Sequence, residues 1–118
     1  MTTYAGGVLA DGTLITATAG SETTVATADG SVNLDSVLVK NTSATASCTL
    51  TVWAVPVGHS ATSPIAADMI IGPLQSFPPL ASLNIADLIK RLDNGDKIVA
   101  LAGTASVMTM RVTRVVAT

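Results

Sequence analysis

The stretch that decides the fold is "NGDKIVALAGTASVMTMRVTRVV", residues 94–116. It opens on a tight turn at Asn94-Gly95, continues into a short apolar strand, bends at small residues around Gly103, and closes in a long alternating strand. "DKIVALA" is apolar on both faces, as a central strand is. In "SVMTMRVTRVV", Met108, Met110 and Val112 share one side and Thr109, Arg111 and Thr113 the other, the pattern of a half-buried strand with a polar outer face. The two methionines supply flexible filler where aromatic side chains are scarce. No catalytic side chain stands at either turn.

Upstream, turn signals recur at Asp11-Gly12, Gly20-Ser21, Asp29-Gly30, Asn41-Thr42-Ser43 and Gly58, the spacing of an all-β sandwich or barrel. "TLITATA" (13–19) and "TTVATA" (23–28) read as a first candidate pair, followed by "VNLDSVLVKN" (32–41). In "SCTLTVWAVP" the set Cys48, Leu50, Val52 and Ala54 forms the expected core face. The opposite set, Thr49, Thr51, Trp53 and Val55, is half polar. Trp53 is the apolar exception there, placed to cover a sheet edge or fill a subunit contact. "DMIIGPL" and "LASLNI" read as short strands on either side of "QSFPP", whose prolines cannot donate to a sheet ladder. A single short helix is expected near 85–93: Ile85, Leu88, Ile89 and Leu92 recur at helical spacing, Asn84 offers an N-cap, and Asn94-Gly95 the C-terminal stop. At about two turns it must pack on the sheet to persist.

The 118 residues form one domain, with 1–12 either an extended N-terminal arm anchored by Tyr4 or an ordinary first strand. Charged residues are 12% of the chain, about half the share of an average soluble protein, while hydrophobic residues reach 48%. Abundant threonine and serine offset part of that deficit; the remainder implies that protein partners cover some apolar surface. A net charge of −2, with six dispersed Lys and Arg, argues against nucleic acid. No apolar run reaches the ~20 residues of a membrane helix. The start "MTTYAGGVLADG" has neither the basic region nor the apolar core of a secretory signal, so a cytosolic birthplace is expected. Cys48, the only cysteine, reads as a buried small hydrophobe.

The order "LTVWAVPVGHSA", a Pro-rich bend, "LASLN" and "GDKIVALAGTASVMTMRV" resembles small β-sandwich accessory virion proteins of tailed bacteriophages, over about residues 45 to 116. The stretch "IADLIKRLDN" departs from that pattern, where a shorter connection is usual. The resemblance implies an all-β, jelly-roll-like antiparallel sandwich. It also implies a capsid decoration (cement) protein located in the virion, a homo-oligomer with a trimer favoured, bound to the major capsid protein or another virion protein. A neck, baseplate or tail-fibre component is the alternative.

Candidate chemistry is thin. His59, the only histidine, sits beside Ser60, but neighbours in sequence rarely form a nucleophile-base pair, and no acid is evident to orient the ring. One His and one Cys cannot complete a structural zinc site. Asp93, Asn94 and Asp96 lack the spaced ligand series of an EF-hand and read as turn formers. No phosphate loop is present. A sugar-binding jelly roll would need aromatic platforms, of which Trp53 is the only strong one. The sequence therefore predicts no enzyme, no cofactor and no metal. Tyr4, Trp53, His59 and Phe77 are the interface candidates.

Overall fold

The computed structural model describes residues 4–17, 22–28, 30–62, 64–89, 91–104 and 107–117. Nine strands form two antiparallel sheets: β1 (Tyr4–Leu14), β2 (Thr23–Thr27), β3 (Val32–Asn41), β4 (Cys48–Val55), β5 (Met69–Phe77), β6 (Ser82–Asn84), β7 (Arg91–Leu92), β8 (Lys97–Ala102) and β9 (Met108–Ala117). One sheet has the order β1-β9-β3-β6, with β7 also paired to β3; the other runs β2-β8-β4-β5. Apart from the β4–β5 hairpin and the β6–β7 link, the chain changes sheet at every connection. This order is the double Greek key of a jelly roll.

The sequence 94–116 therefore supplies an inner strand of each sheet. β8 lies between β2 and β4, and β9 between β1 and β3. The bend at Gly103 carries the chain from one layer to the other. Val37, Val39, Met108, Met110 and Val112 from the first sheet meet Leu50, Val52, Ile98 and Ala100 from the second, and all are fully buried. Burying a side chain of this kind stabilises the fold by roughly 1.5–3 kcal/mol. The unbranched methionines fill the inter-sheet space without further aromatic rings than Phe77.

Over the described residues 13–17 the expected pairing of 13–19 with 23–28 does not form, and 18 and 19 lie outside the described residues. β1 ends at Leu14, and β2 pairs with β8 in the other sheet, with Thr23 opposite Ala100. Residues 15–17 are the crossing point between layers. The Ile15 N–H donates to Met108 in one sheet, while Thr16 accepts from Ala102 in the other. A run of alternating Thr and Ala has no apolar face strong enough to hold a hairpin against two better-patterned neighbours. From Tyr4 onward, the segment read as an arm or a first strand is strand β1, paired along β9 from Tyr4–Ala117 to Leu14–Thr109.

The helix expected near 85–93 is a single turn, Ala86–Ile89 (α1). Ile85 and Leu92 are the buried members of the periodic set; Leu88 is exposed. Leu92 gains more by pairing with Val32 as part of β7 than by continuing a short helix. Asn84 does serve the helix start: its Oδ1 accepts from the N–H groups of Ala86 (3.0 Å) and Val37 (3.1 Å).

Candidate functional site

Two ends of the sandwich are knotted by side-chain to backbone bonds, which leaves the open edge between β5 and β6 as the place where structure is least self-sufficient. At one end stands Asn41, fully buried and closing β3. Its Nδ2 donates to the carbonyls of Ala46 (2.9 Å), Phe77 (3.0 Å) and Pro78 (3.1 Å), and its Oδ1 accepts from the Ser43 N–H (3.0 Å). In sequence it reads only as a turn former. Its sole outward signal is that it follows an alternating strand in the inward phase.

At the other end the "LDNGD" turn binds two loops and closes on itself. Asn94 Oδ1 accepts from Gly30 N–H (2.9 Å), Asp96 Oδ1 from Val57 N–H (3.3 Å), and Asp96 Oδ2 from Asp93 N–H (3.0 Å). These oxygens are committed to backbone donors, in keeping with a turn-forming role. Among the described residues no group of three or more His, Cys, Asp or Glu gathers to hold a metal ion.

The four interface candidates separate. Tyr4 begins β1, and its side chain lies outside what the structure describes. Phe77 is 4% exposed, opposite Cys48 in the main core, where it plugs the sandwich. Trp53 is 6% exposed. It points to the outer side of its sheet, where it packs with Val55, Val99, Ala61, Met69 and Leu101 in a small second core. The half-polar outer face expected for β4 is therefore covered at Trp53 from within the chain. Its indole N–H has no hydrogen-bond partner. The ring offers no open face on which a sugar could stack.

His59 is exposed, as expected, but an acid does stand ready for it. Its Nδ1–H donates to Asp68 Oδ2 at 2.8 Å, and the Asp68 side chain is only 11% exposed. Sequence reasoning missed this pair because a nine-residue excursion, 59–68, separates its members. The excursion returns through a 3-10 turn, Ala66–Asp68, directly before β5. The His59–Asp68 bond ties its two ends together, with Ala61 lying on Trp53 between them.

Asp68 also borders a cleft of about 320 Å³ on the open side of the sandwich, between the end of β4, the start of β5 and the α1–β7 segment. Val55, Met69, Ile89 and Leu92 make its floor apolar, while Asp68, Arg91 and Asp96 contribute charge. Among the described residues, no Ser, Thr or Cys lines it. The Ser60 hydroxyl instead lies 3.3 Å from that of Thr62. Within the described residues, the His59–Asp68 bond serves as a clamp on the loop.

Among the described residues, the exposed large apolar side chains are Leu14, Val57, Ile65, Leu80, Leu83 and Leu88. Three of these, Leu80, Leu83 and Leu88, are 56%, 47% and 57% exposed and fall along the single segment that carries β6 into α1. Leu80 has a φ of 58°, a left-handed conformation in which a bulky residue is an outlier. In sequence these leucines read as strand and helix core.

No protein-family model, curated protein or solved structure matches the chain.

Proposed function

We propose that this chain is a structural, self-associating protein of a virion, of the capsid decoration type, which binds the outer shell and reinforces it without catalysing a reaction. The observation that carries the reading is the exposed leucine edge, Leu80–Leu83–Leu88, on a jelly roll with only 12% charged residues. An apolar strip on so sparsely charged a chain is a surface built to be covered by protein. The resemblance of residues 45–116 to small phage accessory sandwiches supplies the biological setting. Broad shallow contacts repeated on a symmetric shell gain strength by avidity, so no single contact need be tight.

The test is to mix the purified protein with capsids that lack it and to image the particles. Saturable occupancy at regular lattice positions is the expected result. Binding confined to neck, baseplate or fibre would move the protein to the tail. Binding to no part of the particle would remove the virion assignment altogether.

A further inference from the structure

We propose that the β6 edge pairs with the β6 edge of a second copy of this chain about a two-fold axis through Leu83, joining the two β1-β9-β3-β6 sheets into one. The inference deepens the self-association within the proposed function and makes it two-fold, in place of the trimer the resemblance implies. It rests on that part of the reading alone and not on the virion setting.

The backbone of β6 is presented for such pairing. Ile85 N–H donates to Val37 O and Asn41 N–H to Ala81 O, with Leu83 opposite Val39 between them. Residues 81, 83 and 85 therefore turn their peptide groups toward β3. By the strand's two-residue alternation, Ser82 and Asn84 turn theirs toward the free edge. An antiparallel two-fold centred on Leu83 sets Ser82 beside Asn84 of the second copy, in each case as a pair that exchanges both hydrogen bonds. Leu83 then meets its own counterpart as the close, non-hydrogen-bonded pair.

The other sheet edges are guarded. The pairings of β1 with β9, of β2 with β8, and of β5 with β4 all contain register breaks, and β5 also carries Pro73. Of the five strands with a single neighbour, only β6 and β7 pair in unbroken register, and both lie along the same side of β3. Bulges and proline are devices that discourage edge-to-edge association, and β6 lacks both. All three of its residues are exposed. Leu80, held exposed at positive φ, and Leu88 flank it. A conformation this unfavourable points to use by a contact.

Charge is complementary under the same axis. Exposed Lys40 lies opposite Ser82, and exposed Asp87 follows Asn84 at the start of α1. Because the axis sets Ser82 against Asn84 of the second copy, each Lys40 faces the Asp87 end of the other chain. The two-fold is isologous, so every contact is made twice. Only three residues of each strand pair across the axis, so association is weak and concentration-dependent.

Cysteine crosslinking of the full chain tests the axis. A close antiparallel pair has Cα atoms about 4.5 Å apart, within the range a disulfide bridges. The variant Leu83→Cys should oxidise to a covalent dimer. Leu14→Cys, equally exposed on β1, should not, and the native Cys48 is buried. Lys40→Glu should reduce the crosslinking yield of Leu83→Cys severalfold, and adding Asp87→Lys should restore it. Absence of dimer in Leu83→Cys, equal dimer in Leu14→Cys, or no rescue by the paired charge swap would overturn the proposal. The experiment uses no viral particle. A protein that crosslinks yet ignores capsids sinks only the virion reading, and one that binds capsids without crosslinking sinks only this edge.

Discussion

Replacing Asn41 should damage this protein more than replacing any other polar residue on its loops. The side chain has two N–H donors and one acceptor oxygen, and they serve four backbone groups drawn from β5 and the loops beyond β3 and β5. Two donors cannot make three full bonds, so the set is worth about three net hydrogen bonds. At ~1 kcal/mol each, Asn41→Ala should cost about 3 kcal/mol. For a domain of this size that lowers Tm by about 12 °C. Asn41→Asp is the sharper probe. It keeps the acceptor for Ser43 but aims a carboxylate at three carbonyl oxygens in a buried site. Burial and those dipoles raise its folded-state pKa above the unfolded value of ~3.9, so the native state holds its proton more tightly. Stability relative to the parent then falls as pH rises through that window and recovers as pH drops toward 4. Urea unfolding followed by Trp53 fluorescence gives both quantities. A loss under about 0.5 kcal/mol for Asn41→Ala, or an Asp variant that matches Ala at neutral pH, would refute the reasoning.

Trp53→Ala should cost about 3–5 kcal/mol through loss of the second core, and the parent protein's single-tryptophan emission should be blue-shifted and poorly quenched by acrylamide. Red, readily quenched emission would place the ring on the surface instead. Gly95→Ala should cost about 1–2 kcal/mol, measured by the same urea titration, because φ is +86° and the added Cβ would lie 2.5 Å from Val57 Cγ2. Val57→Ala relieves the clash but not the backbone cost, so the double variant should remain less stable than Val57→Ala alone. His59→Ala should change global stability by less than about 1 kcal/mol, as an exposed pair does, yet raise acrylamide quenching of Trp53 by loosening the 59–68 loop. Unaltered quenching would show that the clamp is idle.

Much of the sandwich is legible in the sequence because the strongest period-two patterns belong to strands that end up inside. β3, β4, β8 and β9 each match an expected strand, and Met108, Met110 and Val112 are buried on the side their alternation predicts. The errors arise where local pattern competes with topology. Residues 13–17 carry no decisive face, so sheet crossing takes the expected strand apart there. The Ile85–Leu92 period is real, but an edge position beside Val32 claims Leu92 and leaves one helical turn. The surface was harder to read. Trp53 stands in the outward phase, and only the loop that returns at Asp68 covers it. The leucines at 80, 83 and 88 have core chemistry, and only the edge position of their strand exposes them. His59 and Asp68 meet through loop closure, which no periodicity encodes.

Sedimentation equilibrium of the intact chain over a wide concentration range tests most directly whether its apolar edge exists to be covered by another copy. The mass should rise with concentration from the 11.8 kDa of one chain toward twice that value. Leu83→Glu should hold the protein at one chain throughout without lowering its Tm. A parent protein that stays at one chain even at the highest concentration, or that associates equally well as Leu83→Glu, would contradict the account.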